Sequence, residues 1–398
     1  MATFSVKFLG CKVSHTDAHA VREALAAGGH EEVARSAGAD VAVVNACCVT
    51  HEAVSKSRQA ASRAARTHAR VYVTGCGANL EGAWGGLPDN VIVVARRSEE
   101  TPAFVAGDVG AIGCVRDETR LERVRAFVKI QDGCSFSCAF CVVPLVRGGT
   151  RSRSADAVLA EIHRRVRQGH KEVVLTGINL GLFRDPDRGW RLPRLLREAA
   201  AIEGLARLRL SSIEVNHVNG ELVEAVRDSP TVAKHLHVPL QSGDDRVLAE
   251  MGRRYTVATY LRRVEPLREV ANLTADVIVG FPGEDDAAFG RTLRAVDDAG
   301  ITKVHVFPYS PRAGTRTAAA DTVPAAVKKE RAKRLRDRSD EACRRRWESK
   351  LGAEDAVLVD RPGRGYGDDY VPWLVEAPVG SFVRVRGAAV TEDGVRAA

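Results

Sequence analysis

Hydrophobic and polar positions in the first hundred residues alternate between two periods. Runs at 4–9, 41–44, 71–73 and 91–94 are short and apolar on both faces, as in strands covered on both sides of a sheet. Between them, 16–27 and 52–68 carry polar helical patterns. That alternation predicts a parallel α/β domain. The stretch 96–123 is mixed in pattern, contains Pro102, Gly107, Gly110 and Gly113, and reads as a connection.

From Arg125 the alternation restarts with a longer period. Strands are expected at 125–130, 172–175, 208–210, 236–238, 276–279 and 303–307, with helical patterns such as 155–168, 192–202 and 255–270 between them. Six βα units in roughly 190 residues predict a partial (β/α)6 barrel, short of the usual eight. Polar or glycine-rich segments follow these strands, as in Thr176-Gly177-Ile178-Asn179, Ser211-Ser212-Ile213-Glu214 and Gln241-Ser242-Gly243. In such a barrel they would form the active face. After 350, short alternating strands separated by Gly and Pro predict a small antiparallel β module.

Composition changes this picture in two places. The 398 residues carry a formal charge of +8, and eleven Lys/Arg against five Asp/Glu fall between Lys328 and Lys350. That stretch reads as an exposed helix or linker, and nucleic acid is the first partner to expect. There are nine cysteines. No apolar run approaches the roughly 18 residues of a membrane span, and a cytoplasmic setting is expected, so the cysteines need an explanation other than disulfides.

The cysteines sort by position. Cys134, Cys138 and Cys141 form a Cys-x3-Cys-x2-Cys loop after the first barrel strand. Three thiols can hold three irons of a cubane cluster and leave the fourth open. A closed zinc site would want a fourth protein ligand, and no histidine lies between Ile130 and Ile162. Cys11, Cys47 and Cys76 each follow a predicted strand of the first domain. Strand ends of an open α/β sheet converge on one crevice, where these thiols could hold a second cluster or simply pack.

The Cys-x3-Cys-x2-Cys motif, with Phe140 before its third cysteine, resembles the radical S-adenosylmethionine superfamily. FLGCKV, NACCVT and VTGC, followed by VRAFVKIQDGC, RLRLSSIE, HLHVPLQSGDDRVLAEMGRRYT and DVIVGFPGE, resemble the methylthiotransferases within it, over most of 3–317. LTGINLG and VHVFPYSPRAGT resemble the branch that acts on threonylcarbamoyladenosine beside the tRNA anticodon. The end of the chain is similar, more weakly, to the RNA-binding TRAM module. The resemblance implies a tRNA methylthiotransferase with two 4Fe-4S clusters and S-adenosylmethionine, one molecule methylating a cluster-held sulfur and another giving the radical. The alternatives are isopentenyladenosine in tRNA or a ribosomal-protein aspartate as substrate, or a non-enzymatic iron–sulfur RNA-binding protein.

The expected layout is 1–115 for the auxiliary-cluster domain, 120–325 for the radical barrel, 326–350 for a basic linker or helix and 351–398 for the TRAM-like module. Phe140, Thr176, Gly177, Asn179, Ser212, Glu214 and Gln241 are the expected cofactor contacts. Arg344, Arg345, Arg346, Tyr366, Tyr370, Trp373, Arg384 and Arg386 are the expected RNA contacts. An electron donor and a sulfur source, both unidentified, are further expected partners. The family usually has Thr where Ala46 stands, and Cys48 competes with Cys47 as a ligand. Cys114 and Cys343 match no motif.

Overall fold

The computed structural model describes residues 1–34, 38–110 and 124–398. Cys114, the second part of the expected connection (111–123) and the 115/120 boundary lie outside the described residues. The first domain is one parallel sheet in the order β2-β1-β3-β4-β5. Its strands are β1 (Thr3–Phe8), β2 (Glu31–Glu32), β3 (Val41–Asn45), β4 (Arg70–Thr74) and β5 (Val91–Val93), with helices α1 (Lys12–Ala27), α2 (His51–Ala64) and α3 (Thr101–Val109) between them. Every residue of β3 is buried, because helices cover both faces at the sheet centre.

The barrel strands are β6 (Arg125–Lys129), β9 (Glu172–Thr176), β10 (Arg207–Leu210), β11 (His235–His237), β12 (Asn272–Val279) and β13 (Ile301–Pro308). They form two three-stranded parallel sheets, β6-β9-β10 and β11-β12-β13. The sheets are joined through the parallel bridges Leu208↔Val232 and Ser212↔His237. The result is the six-stranded partial barrel that the sequence predicts. A short ribbon of β7 (Gln131–Asp132) and β8 (Arg151–Ser152) frames the cysteine loop and α4 (Val143–Arg147). Outside run α5 (Ala155–Arg167), α6 (Leu192–Ala200), α7 (Gly220–Asp228), α8 (Asp245–Glu250), α9 (Val257–Arg268) and α10 (Asp286–Asp298). Their apolar stripes meet the outward residues of the strands, such as Val173, Leu175, Leu208, Leu210, Ala275 and Val277, in the main core.

The basic stretch is α11 (Ala325–Glu348), a helix of 24 residues. It is not fully exposed. Lys328, Arg331, Ala332, Leu335 and Ser339 are buried on one face, where the Ser339 hydroxyl accepts from Val304 N at 2.9 Å. Arg331 reaches Glu284 beyond the end of β12 at 2.8 Å. Arg346, near the other end, reaches Asp369 of the last module at 2.9 Å. The helix therefore runs from the barrel mouth down to that module.

The module is a closed barrel of β14 (Glu354–Arg361), β15 (Arg364–Tyr366), β16 (Pro372–Leu374), β17 (Phe382–Val390) and β18 (Val395–Ala397), in the order β14-β15-β16-β18-β17. Trp373 is fully enclosed among Val357, Val359, Val371 and Val395. It fills the core of a barrel too small to have another, so the expectation that it stacks on RNA is corrected. The loop after β15 plugs the floor of the large barrel. Arg207 donates to the carbonyls of Tyr366 and Gly367, and Arg209 to those of Gly367 and Asp368. Tyr370 lies between His235 and Tyr366, each ring 4.9 Å away. Tyr370 and Arg346 thus hold the module to the rest of the chain rather than facing outward for RNA.

Candidate active site

The cysteine loop is held from three sides. Cys134 N donates to Gly148 O at 3.1 Å, Ala139 N to Met251 O at 2.8 Å, and Thr317 Oγ1 to Ala139 O at 3.0 Å. Arg253 Nη1 stands 3.4 Å from Cys138 Sγ, and its Nη2 is 3.3 Å from Glu214 Oε1. Burial opposes the Arg253 charge, but Tyr255, Cys138 and Glu214 outweigh it and keep the guanidinium protonated. Burial, helped by the neighbouring Cys138, raises the Cys134 and Cys141 thiols, Cys141 to about 11. Three thiols crowded into one loop are soft ligands that a metal cation would bind as thiolates. The loop fits a cluster: it offers three soft ligands, a buried cation beside one of them and backbone N–H groups nearby.

Cys11, Cys47 and Cys76 sit at the ends of β1, β3 and β4, as expected. Cys47, Cys48 and Cys76 are buried, while Cys11 is exposed. A side chain at Gly10, whose φ is +121°, would meet Cys47 Sγ at 3.2 Å, so Cys47 leans on the turn that carries Cys11. Hydrogen bonds from Cys47 and Cys48 pull the Cys76 thiol well below its ordinary value, against burial, while both donors are raised. Cys47 feels both Cys76 and Cys11, whereas Cys48 packs with Val142 and Val146 of the α4 segment. These thiols share protons at strand ends, which is the chemistry of a soft-metal site. Among the described residues no compact set of three ligating side chains is already gathered around a metal-sized void.

Four charges pin the two domains together between these sites. Arg147 bridges Asp17 of α1 at 2.7 Å and Asp132 at 3.0 Å, and Lys129 bridges the same pair at 2.7 and 3.0 Å. Burial would raise the Asp132 carboxyl, but Lys129 and Arg147 hold it well below its ordinary value.

The expected cofactor contacts fall at the C-terminal ends of β9, β10 and β11. Thr176 and Asn179 are buried, and Thr176 Oγ1, Asn179 Oδ1 and the nearby Ser211 Oγ have no partner among the described residues. Buried polar atoms are normally satisfied, so three orphans at one barrel end fit a polar ligand there. Gly177 lies against Gln131, where a Cβ would come within 2.9 Å of the carbonyl. Glu214 is already engaged, since besides Arg253 it caps Asn216 N at 2.9 Å. Ser212 pairs with His237 through the bridge that joins the two half-barrels.

Phe140 and Gln241 meet at a cavity of about 190 Å³. Its lining includes Phe140, Cys141, Val142 and Val143 from the cysteine loop, and Val49 and Thr50 just past Cys47 and Cys48. Asp276, Ile278, Phe307 and Arg312 complete it. The Asp276 carboxylate lies 3.1 Å from His237 Nε2. A larger cleft of about 770 Å³ shares Cys76 and Arg147 but opens beside α3, away from Cys134, Cys138 and Cys141. Sequence reasoning missed Arg253, Asp276 and Arg312. All three stand inside the quoted phrases MGRRYT, DVIVGFPGE and YSPRAGT, but in a chain with 59 Lys/Arg and 51 Asp/Glu nothing in the spacing sets them apart.

Of the expected RNA contacts besides Tyr370, Trp373 and Arg346, Arg344 is exposed and lies 3.8 Å from Glu348. Arg345 and Arg384 are exposed, and Arg386 is exposed and pairs with Glu354 at 3.1 Å. Tyr366 is half-buried under the Arg125 guanidinium.

Residues 128–296 match the family model described as the radical SAM superfamily, and 3–84 match uncharacterized protein family UPF0004. The threonylcarbamoyladenosine tRNA methylthiotransferase MtaB of Thermotoga maritima is 33% identical, over 99% of this chain and 96% of its own. Its namesake from Bacillus subtilis is 35% identical over 97% and 94%. A tRNA-2-methylthio-N(6)-dimethylallyladenosine synthase of Paracoccus denitrificans is 34% identical over 96% and 93%. Among solved structures, the radical S-adenosylmethionine methyltransferase TsrM of Kitasatospora setae matches with a TM-score of 0.59 at 14% identity. The match covers 79% of this chain and 76% of that one, a likeness of fold.

Proposed function

Because this chain belongs to the radical S-adenosylmethionine methylthiotransferase family, we propose that its substrate is N6-threonylcarbamoyladenosine beside the tRNA anticodon, and its product the 2-methylthio derivative. The protein is a transferase that modifies tRNA, and its cofactors are S-adenosylmethionine and two 4Fe-4S clusters. Identity alone does not choose between the substrates in its relatives' names, at 33% and 35% for one and 34% for the other. The phrases LTGINLG and VHVFPYSPRAGT support the threonylcarbamoyl reading.

One observation carries the proposal. Residues adjoining the two cysteine sets, Phe140–Val143 and Val49–Thr50, line one and the same small cavity. When bound, the cofactors supply radical chemistry and a methylated sulfur at a purine carbon that is neither acidic nor provided with a leaving group. The chain's own residues position and enclose. Cys134, Cys138 and Cys141 hold one cluster, and Arg253 fixes the loop at Cys138. Cys11, Cys47 and Cys76 hold the other. Cys47 is the ligand rather than Cys48: both meet Cys76, and Cys47 also stands against the Gly10–Cys11 turn. Thr176, Gly177, Asn179, Ser212, Glu214 and Gln241 form the polar side of the cofactor pocket, and Phe140 its aromatic wall. Residues 1–115 serve the auxiliary cluster and 120–325 the radical step. Residues 326–350 and 351–398 meet tRNA through their outward basic side chains. A reductase and a sulfur donor complete the system, which works in the cytoplasm.

The test uses the reconstituted enzyme with a reductant, S-adenosylmethionine and anticodon stem–loops carrying either modified adenosine. Methylthiolation of the threonylcarbamoyl RNA over the isopentenyl RNA is expected. The reverse preference would transfer the enzyme to the other branch.

A further inference from the structure

Arg312 lies four residues beyond the end of β13 and lines the cavity between the two cysteine sets. It is only 4% exposed. Its Nη2 donates to Ser310 Oγ at 3.1 Å, its Nε has no partner, and no carboxylate pairs with it among the described residues. A guanidinium does not lose its proton in a protein, so this is a buried positive charge with no carboxylate partner among the described residues, its nearest acidic neighbours being the thiols of Cys47 and Cys48. Other buried arginines of this chain are paired: Arg147 with two aspartates, Arg207 and Arg209 with Glu172, Arg253 with Glu214 and Arg331 with Glu284. A buried charge is normally matched. Among the described residues the one carboxylate on the same cavity is Asp276, which faces His237.

We propose that Arg312 is the specificity-determining residue of the enzyme and binds the carboxylate of the threonylcarbamoyl group. This deepens the substrate reading above and rests on it. The two tRNA substrates of the relatives differ at this point: threonylcarbamoyl ends in a carboxylate, while dimethylallyl is apolar throughout. A planar guanidinium matches a planar carboxylate with two parallel hydrogen bonds. Val49, Val142, Val143, Ile278 and Phe307 give the surroundings of Arg312 apolar walls, where a guanidinium–carboxylate pair is shielded from water. The remaining anionic candidates near Arg312 are the sulfurs of Cys47 and Cys48, and the test separates that role.

Binding of three anticodon stem–loops to the cluster-loaded protein is measured by fluorescence anisotropy. They carry threonylcarbamoyladenosine, its methyl ester, or unmodified adenosine. The wild type should bind the free acid on the order of 10- to 100-fold more tightly than the ester, the range of a charge-assisted hydrogen bond. Arg312→Gln should bring that ratio close to 1, and Arg312→Lys, which keeps the charge without the fork, should keep part of it. Retention of the full ratio in Arg312→Gln would overturn the proposal, with a shifted auxiliary-cluster potential assigning the residue to the cluster. Equal weakening of all three RNAs would also overturn it, in favour of a phosphate contact. If the wild type itself does not distinguish the free acid from unmodified adenosine, the substrate reading fails first.

Discussion

Cys47 and Cys48 are neighbours in sequence and different in chemistry. Both meet Cys76, but Cys47 leans toward the Cys11 turn while Cys48 packs against Val142 and Val146. Reconstituted wild type should therefore hold about eight irons, and Cys47→Ser or Cys138→Ser about four. Cys48→Ser should stay near eight, as read by iron assay and Mössbauer spectroscopy; about four would reassign the ligand. At this scale the positions of the cysteines, three in one loop and three at strand ends, were legible from their spacing and from the apolar runs they follow. Arg312 and Arg253 were not, since what distinguishes them is burial, and burial depends on partners distant in sequence. Trp373 and Tyr370 were misread for the same reason. An aromatic suited to stacking on a base is equally suited to filling a small barrel or plugging a large one.

The joint between α1, β6, β7 and α4 ties packing to the site, because Asp132 directly precedes the cysteine loop by way of Gly133. Its carboxyl titrates lower folded than unfolded, so its stabilisation is complete above about pH 5 and fades as pH falls through and below the unfolded value near 4. Urea midpoints should be flat from pH 7 to about 5 and drop below that, with a smaller acid-side drop in Asp132→Asn. Asp132→Asn should also cost on the order of 3 kcal/mol at pH 7, because Lys129 and Arg147 lose a buried partner. An unchanged midpoint would show the joint to be dispensable. The floor plug makes a second prediction. Tyr370→Ala should remove about 2 kcal/mol or more and split one calorimetric transition into two, as the small barrel uncouples from the large one. Strands were legible here, each of the six barrel strands being found within a few residues of its apolar run. The β7–β8 ribbon was not, because two-residue strands have no period to detect. The buried side of α11 was hidden behind its dominant charge.

Across the whole molecule, α11 extends about 36 Å at 1.5 Å per residue and links the barrel mouth to the terminal module. Lys329, Arg336, Arg345 and Arg384 are exposed and make no ion pair among the described residues, so they remain available to phosphates. Binding of tRNA should weaken steeply with salt. Replacing these four with Gln should lower the log–log slope by about 3 units, roughly 0.7–0.9 per phosphate contact, without changing thermal stability. A slope that does not move would place the RNA elsewhere. Deleting 351–398 is a poorer test, because it uncovers the buried Arg207–Glu172–Arg209 set and the partners of Tyr370. The α/β order and the three-part layout were legible from the changing period of the apolar runs. The docking of the module against the barrel floor was not, since it joins residues more than a hundred positions apart. The central claim, that this enzyme methylthiolates threonylcarbamoyladenosine in tRNA, is tested most directly by mass spectrometry of nucleosides from cells lacking it. The account predicts that the 2-methylthio derivative disappears, N6-threonylcarbamoyladenosine accumulates, and the wild-type chain but not Cys138→Ser restores the product; an unchanged level of the methylthio nucleoside would contradict it.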